Sequence, residues 1–505
     1  MQTLKLWIRM IFRQWYKKLV IAAIFVLGLY CSLQLLDSGK HKLRHSKNTQ
    51  TTHHSSESHG IVEIDPENQI PDNRNLYKVP KEDIHIDMCP ACFGKEICTD
   101  IEAGLVEISK NSKTEFRELI MREASLHKTE KVVVSSVTDA LWNKFDKFIC
   151  QNASKSFPCD VSAAISTGYL TSNQALTVDG LRNLYKVLDK SKSEAVLPIC
   201  ATNKLIHELI STFDGNGDRQ LNQEEQGHLM TGLLLHPSYV VLKFQDAISS
   251  NLPLPNFHGT CGRLAVWEGG MTPLKDHLQE SFEERAGLAA QLLQLVDDFQ
   301  NEDPNWYFLY TEFSYNSFSV TNEGEVLLTD LQDMIIIDKT LFTQAVGPHS
   351  TQSERLCNEM CYQKFTRDIM TSEYVTNVCS QVKHYGQLMF AIVCKEILSD
   401  LEEHKTGGFF NYDGNKVHQR SEYRGLLHSP PEKDKDNIEE LLRDCVQETL
   451  AGGRKQAVEE LQETLDKYLT YNDIDDEKND KNDDDESEKD EEEGNDIEIN
   501  LNCSG

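Results

Sequence analysis

The spacing of apolar positions changes several times along the chain. Residues 19–33 are almost wholly apolar (LVIAAIFVLGLYCSL), and with Gln34, Leu35 and Leu36 the run reaches 18 residues, the short end of a membrane span. Residues 38–80 are polar with no apolar period, which predicts a stalk. Glu130-Lys131-Val132-Val133-Val134 then predicts a buried strand, and a helical pattern follows over 139–148. Residues 204–213 and 223–235 predict two helices flanking a polar loop. Leu264-Ala-Val-Trp267 predicts a strand, and residues 283–299 form the clearest helical pattern in the chain. Residues 306–310 are apolar and aromatic, and two short runs around Thr321-Asn-Glu-Gly324 predict a hairpin. The last third returns to helical spacing, strongest over 438–468. Mixed strand and helix followed by helix is an α+β order, not alternating βαβ. No fixed repeat points to a solenoid.

Length and charge narrow this picture. A chain of 505 residues with 39% hydrophobic and 26% charged residues allows two to four packed units. The net charge of −30 argues against a nucleic-acid partner, because phosphate backbones demand clustered cations. That charge is uneven: residues 471–500 hold 16 acidic residues and 3 lysines, a net of −13 that leaves −17 for the rest. Residues 471–505 therefore read as a solvated acidic tail. Lys5, Arg9, Arg13, Lys17 and Lys18 precede the apolar run with no acid among them. The positive-inside bias then gives type II topology: a cytosolic tail at 1–18, a signal anchor at 19–36 and a luminal stalk at 37–83. The alternative is a cleaved signal peptide, disfavoured by the long basic region and the lack of a small-x-small site.

Cysteine usage agrees with an oxidising lumen. Apart from Cys31 and Cys503, twelve cysteines lie in the body, at 89, 92, 98, 150, 159, 200, 261, 357, 361, 379, 394 and 445, enough for six disulfides whose pairing spacing does not reveal. Asn152-Ala-Ser154 is a glycosylation sequon in a polar stretch, and Asn502-Cys-Ser504 is formally another. Five histidines (His41, His45, His53, His54, His59) fall in the stalk, where irregular spacing suits a solvated linker better than a metal site.

Three motifs carry candidate chemistry. In Asp214-Gly-Asn216-Gly-Asp218-Arg-Gln220-Leu-Asn222-Gln-Glu-Glu225 every oxygen slot of an EF-hand Ca2+ loop is filled: Asp214, Asn216, Asp218, the Gln220 carbonyl, Asn222 and Glu225. Arg219 stands where glycine normally makes the sharp turn, at a cost of about 1 kcal/mol. An Asx-rich turn between two helices is the plainer alternative. Cys89-Pro-Ala-Cys92 reads as a redox centre, half of a zinc site or two structural half-cystines, and the lumen favours the last. Third, a phosphoryl-transfer site needs an Asp, an Asn five residues on, and a metal-binding Asp after a hairpin. The slots here hold Glu312, Ser317 (with Asn316 one place early) and Asp330, and only Asp330 is intact.

Cys89-Pro-Ala-Cys-Phe-Gly94, Cys150, Cys159-Asp160, Gly259-Thr-Cys-Gly-Arg263 and Gly425-Leu-Leu-His-Ser-Pro-Pro431 together resemble the divergent protein kinase domain 2 family over about residues 86–470. The resemblance implies a secretory-pathway protein with a two-lobed protein-kinase-like fold: an N-lobe at 84–270 with an EF-hand-like helical insertion, and a mostly helical C-lobe at 271–470. It also implies that Trp267, Glu268 and Ser317 face a nucleotide, with ATP and Mg2+ or Mn2+ as cofactors of any active form. Yet the phosphate-binding Lys of the family's Val-Val-Leu-Lys is replaced in Val132-Val-Val134-Ser135, and no carboxylate stands at the expected place on the next helix, which offers Leu141 and Trp142. Those losses remove most of the electrostatic stabilisation of phosphoryl transfer. The expectation is a pseudokinase of the Golgi or endoplasmic reticulum membrane, or a secreted form of it, that binds a luminal protein partner. The alternatives are a residual or rewired kinase using Glu312 and Asp330, and a calcium sensor or buffer.

Overall fold

The computed structural model describes residues 76–187, 200–310, 313–344, 379, 387–400, 424–447 and 453–479. Residues 1–75, which include the apolar run at 19–36, lie outside them, as does Glu312; among the described residues no helix is long and apolar enough to cross a membrane.

The first layer is a seven-stranded antiparallel sheet. Its strands are β1 (Leu76–Lys78), β2 (Val106–Ser109), β3 (Thr114–Phe116), β4 (Leu119–Leu126), β5 (Glu130–Val137), β6 (Phe257–Cys261) and β7 (Leu264–Glu268), in the order β1-β2-β4-β5-β7-β6 with β3 also on β4. β2 pairs with the far end of β4 and β3 with its near end, so together they form one broken strand. The turn from β3 into β4 has only two residues, Arg117 (φ 51°) and Glu118 (φ 65°), both in the left-handed region. That conformation matches the strand twist of a two-residue hairpin, but it normally recruits Asn and Gly. Each of these two side chains carries roughly 1–2 kcal/mol of strain there.

Strand β5 extends past its valine run. Val132 and Val134 enter a small core with Val106, Ile108, Ala124 and Val266. By the two-residue period, Ser135 and Val137 point to the opposite face, where the larger core lies. Ser136 satisfies its hydroxyl on the Arg263 carbonyl at 2.7 Å, which lets a polar residue stay in the strand. The sheet also begins earlier than the polar composition of 37–83 suggests: β1 pairs with β2, and Val79 and Ile84 are buried. Three residues are too few to show a period in sequence.

Between β5 and β6 the chain inserts helices, chiefly α1 (Asp139–Asn152), α2 (Asn203–Phe213), α3 (Gln223–Leu235) and α4 (Pro237–Ile248). The hinge-side strand β7 then leads to β8 (Thr272–Pro273) and the long helix α5 (Phe282–Asn301), opened by a reciprocal cap of Ser281 and Glu284. Leu288, Leu292, Leu295 and Phe299 form its buried stripe. This packs on the pair β9 (Trp306–Tyr310) and β12 (Met334–Asp338), every residue of which is buried. β10 (Phe318–Val320) and β11 (Val326–Leu328) make the expected hairpin and β10 adds β8.

The helical pattern over 438–468 is two helices, α6 (Lys435–Gln447) and α7 (Gly453–Asn479). Arg454 explains the break: wholly buried, it donates from Nε to the Cys445 carbonyl (2.6 Å) and from Nη2 to that of Val446 (3.2 Å), satisfying the last carbonyls of α6. α7 runs into the acidic stretch from 471, where charge alone predicted no order.

Disulfides Cys89–Cys92, Cys98–Cys261, Cys150–Cys159, Cys200–Cys379 and Cys394–Cys445 staple these parts. Helix α1 is locked to the sheet by a buried ion pair. The Arg263 guanidinium forks onto Asp146 (Nη1 to Oδ2 3.1 Å, Nη2 to Oδ1 2.5 Å) and lies 4.0 Å above the Trp142 ring. Arg263→Ala strands the Asp146 carboxylate in a dry site. It should lower unfolding stability by about 3–5 kcal/mol. Urea titration should show this as a lower midpoint at unchanged slope.

Candidate functional site

The β10–β11 hairpin sets the first carboxylate. Thr329 N–H (2.8 Å) and Asp330 N–H (3.2 Å) both donate to the Ser317 carbonyl, which fixes the exit of β11 against the turn entering β10. Asp330 Oδ1 accepts from the Gln332 N–H at 3.2 Å. A second carboxylate, Asp333, follows one turn later, and both are nearly buried, at 8% and 4% exposure. Ser317, also buried, shares a hydroxyl contact of 2.9 Å with Ser314.

Two buried carboxylates need a cation, and the tip of the β3–β4 hairpin brings one. Arg117 donates from Nη1 to Asp330 Oδ2 at 3.2 Å. It also forks onto Asp333, through Nη1 to Oδ2 and Nη2 to Oδ1 (3.0 Å). The guanidinium lies in a part-buried contact spanning more than two hundred residues of sequence. Its planar fork suits paired carboxylates as a lysine ammonium would not. Burial first, then the Asp330 and Asp333 charges, push the Tyr310 hydroxyl well above its usual range, so it stays protonated beside them.

Ser135 lies on the sheet face turned to the main core, and its hydroxyl meets His236 Nε2 at 3.0 Å. His236 is the junction between α3 and α4. Its ring is wholly buried, edge-on to Phe93, Tyr239 and Trp267. Burial pushes the imidazole down to about 3, so it is neutral at any ordinary pH. The partner of β5 thus comes from the end of the insertion, not from the helix that follows the strand. It is a neutral pair where a phosphate-gripping site would hold Lys and Glu.

The other residues singled out in sequence fall in three places. Trp267 is buried in the core against His236, while Glu268 Oε2 accepts from Asn256 N (3.0 Å) and Nδ2 (2.9 Å), tying the end of β7 to the approach to β6. Ser317 and Asp330 share one turn, and Glu312 lies outside the described residues. Asn152 is exposed at the end of α1, its Nδ2 donating to the Phe148 carbonyl at 3.2 Å.

Residues 214–225 form a loop between α2 and α3. Asp214 Oδ1 accepts from Asn216 and Gly217 N–H, Asn216 from Asp218, Asp218 from Gln220, and Glu225 from Gly215 and Asn222. Asn222 and Glu225 form the reciprocal cap of α3. Arg219 adopts φ 63°, the left-handed turn that the loop needs despite its side chain. The carboxylates face backbone N–H groups here. Among the described residues, the His, Cys, Asp and Glu ligand atoms that gather within 4.8 Å of one another are those of Cys89, Cys92 and His228.

Arg117, Asp333 and His236 were not found by motif. The one hint in the sequence is a second Asp three places after Asp330.

The fold and this site define a protein-kinase-like protein. A family model described as the protein-kinase domain of FAM69 matches residues 231–448. The chain is 23% identical over 435 residues to "Divergent protein kinase domain 2A" of Xenopus tropicalis, covering 81% of this chain and 91% of that one. It is 24% identical over 408 residues to the Homo sapiens protein of that name (76% and 87%), and 21% over 356 residues to "Divergent protein kinase domain 2B" of Mus musculus (67% and 78%). The chain is therefore a homologue of the divergent protein kinase domain 2 proteins.

The buried histidines make stability depend on pH with a definite sign. As pH falls through about 6.5 an unfolded histidine takes up a proton, while folded His228 resists until about 4 and His236 until about 3. Stability present above pH 6.5 is lost on acidification, by about 1.4 kcal/mol per pH unit for each histidine. His236→Gln should remove about one proton from that slope in urea unfolding measured across this range.

Proposed function

We propose that this chain is a pseudokinase of the secretory pathway, which uses a kinase-like scaffold to bind a protein partner. The observation that carries the reading is Arg117, whose guanidinium occupies the Asp330 and Asp333 carboxylates on the side where a kinase would hold its metal ion. The neutral Ser135–His236 contact supports it, since neither group grips a phosphate. Five disulfides among the described residues favour an oxidising lumen. With the basic, apolar N-terminus they support a type II anchor at 19–36 in the Golgi or endoplasmic reticulum, and exposed Asn152 suits glycosylation there. The rival reading is a rewired kinase using Glu312, Asp330, ATP and Mg2+ or Mn2+. Thermal-shift assays with ATP and either metal separate the two. The native chain should show no metal-dependent ATP shift; a shift that Asp330→Asn abolishes would establish the rival. Arg117→Ala, by exposing the two carboxylates, should create Mn2+ binding that the native chain lacks.

A second reading rests on Arg219. This residue already accepts the left-handed turn that an EF-hand needs at its sixth position, and the loop's candidate donors are all hard oxygens: Asp214, Asn216, Asp218, the Gln220 carbonyl, Asn222 and Glu225. Ca2+ bound there would use the remaining lone pairs of these oxygens and would tighten the α2–α3 pair. Calorimetry should give a heat of Ca2+ binding that Glu225→Gln removes. No heat, or heat unchanged by that substitution, would assign the cation to the acidic tail or to no site.

A further inference from the structure

The Cys89–Cys92 bridge is a poor staple. It closes a loop of sequence separation 3, against 163 and 179 for Cys98–Cys261 and Cys200–Cys379, and so short a loop removes little chain entropy from the unfolded state. The turn that carries it is held by other bonds. Ser162 Oγ donates to the Cys89 carbonyl (2.5 Å), Ala91 N–H to Met88 (2.9 Å), and Phe93 N–H to Gly262 (2.8 Å), with Gly262 N–H returning to Gly94 (2.8 Å). Pro90 is pressed onto helix α3: a Cβ on Gly227 would lie 2.7 Å from Pro90 Cβ and 2.8 Å from its carbonyl oxygen. The next residue of α3 is His228. Its Nε2 is buried with no hydrogen-bond partner among the described residues, and the nearest carboxylate, Glu224 Oε1, is 4.0 Å away. Ligand atoms of Cys89, Cys92 and His228 lie within 4.8 Å of one another.

We propose that opening of Cys89–Cys92 by a dithiol reductant creates a site for one soft divalent cation of the Zn2+ type, held by Cys89 Sγ, Cys92 Sγ and His228. Two thiolates and an imidazole are the donor set this ion prefers; donors at about 2.0–2.3 Å in a tetrahedron lie roughly 3.5 Å apart, so ligand atoms now within 4.8 Å of one another must close by up to about 1 Å to hold it. The reductant attacks Cys89 Sγ, which keeps 9% exposure while Cys92 is wholly buried, and Cys92 leaves as thiolate. Two electrons and two protons pass from the dithiol, which ends as its own disulfide; binding of the cation then expels both thiol protons. A fourth position falls to water, or to the Glu224 carboxylate once it leaves its ion pair with Lys95 (2.5 Å). Because Pro90 and Gly227 stay in contact, the three ligands remain gathered after the bridge opens. The redox and zinc readings of this motif thus become two states of one site, and the histidine that completes it is over a hundred residues away in sequence.

The test uses the full chain in detergent with Co2+ as a spectroscopic stand-in. After limited dithiol treatment, mass spectrometry identifies which bridge has opened. Chain open at Cys89–Cys92 should bind one Co2+ with a thiolate-to-metal band; oxidised chain should show no such band. His228→Asn should weaken uptake at least about tenfold, no less than the loss of an outer-shell partner costs. The double variant Cys89→Ser, Cys92→Ser should abolish it at any redox state. Absence of Co2+ uptake in chain shown to be open at this pair, or uptake indifferent to His228→Asn, overturns the proposal. Should that variant misfold, the comparison of open and closed native chain decides alone.

Discussion

Two carboxylates held out of water must have a cation, and on this scaffold the cation is Arg117. Asp330 and Asp333 are placed by the β10–β11 hairpin and by β12, deep in the second half of the chain, whereas Arg117 sits at the tip of a hairpin in the first sheet. The fork therefore does three things. It neutralises buried charge, ties the first sheet to the carboxylates, and holds a two-residue turn in a conformation that Arg and Glu would otherwise avoid. At β5, Ser135 and His236 meet separately as a neutral pair inside an aromatic shell.

Helix α3 joins the remaining chemistry. Its first turn carries Glu224 and Glu225, its next turn His228 against the Cys89–Cys92 turn, and its end passes to His236 beneath β5. Thirteen helical residues span about 20 Å and move as one rod. The oxygen-rich loop, the cysteine turn and the Ser135–His236 contact thus all adjoin one helix. The burial of Gln226, Gly227 and Leu229 to Leu235 leaves this rod little freedom to adjust at one end alone.

Much of the fold was legible in the chain itself. The two-residue and 3.6-residue periods placed β7, β9, the β10–β11 hairpin, α2, α3 and α5 within a residue or two, because each buries one face and the period of burial is a local property. Boundaries failed where a single tertiary contact overrules the pattern. The helical pattern of 438–468 does not show where α6 ends and α7 begins, at the carbonyls that Arg454 caps, and Leu76–Lys78 reads as linker until β2 pairs with it.

The site divides along the same line. Serine at position 135, aspartate at position 330, the oxygen pattern of 214–225 and the cysteine inventory are all statements about residue types at fixed spacing, so the amino-acid order alone determines them. Which cation meets Asp330 and Asp333, which histidine faces Ser135 and which faces the cysteine turn are matters of approach between segments a hundred or more residues apart. Only the packed chain decides these, because a buried charge or imidazole takes whatever partner the fold delivers, and sequence distance does not enter that choice.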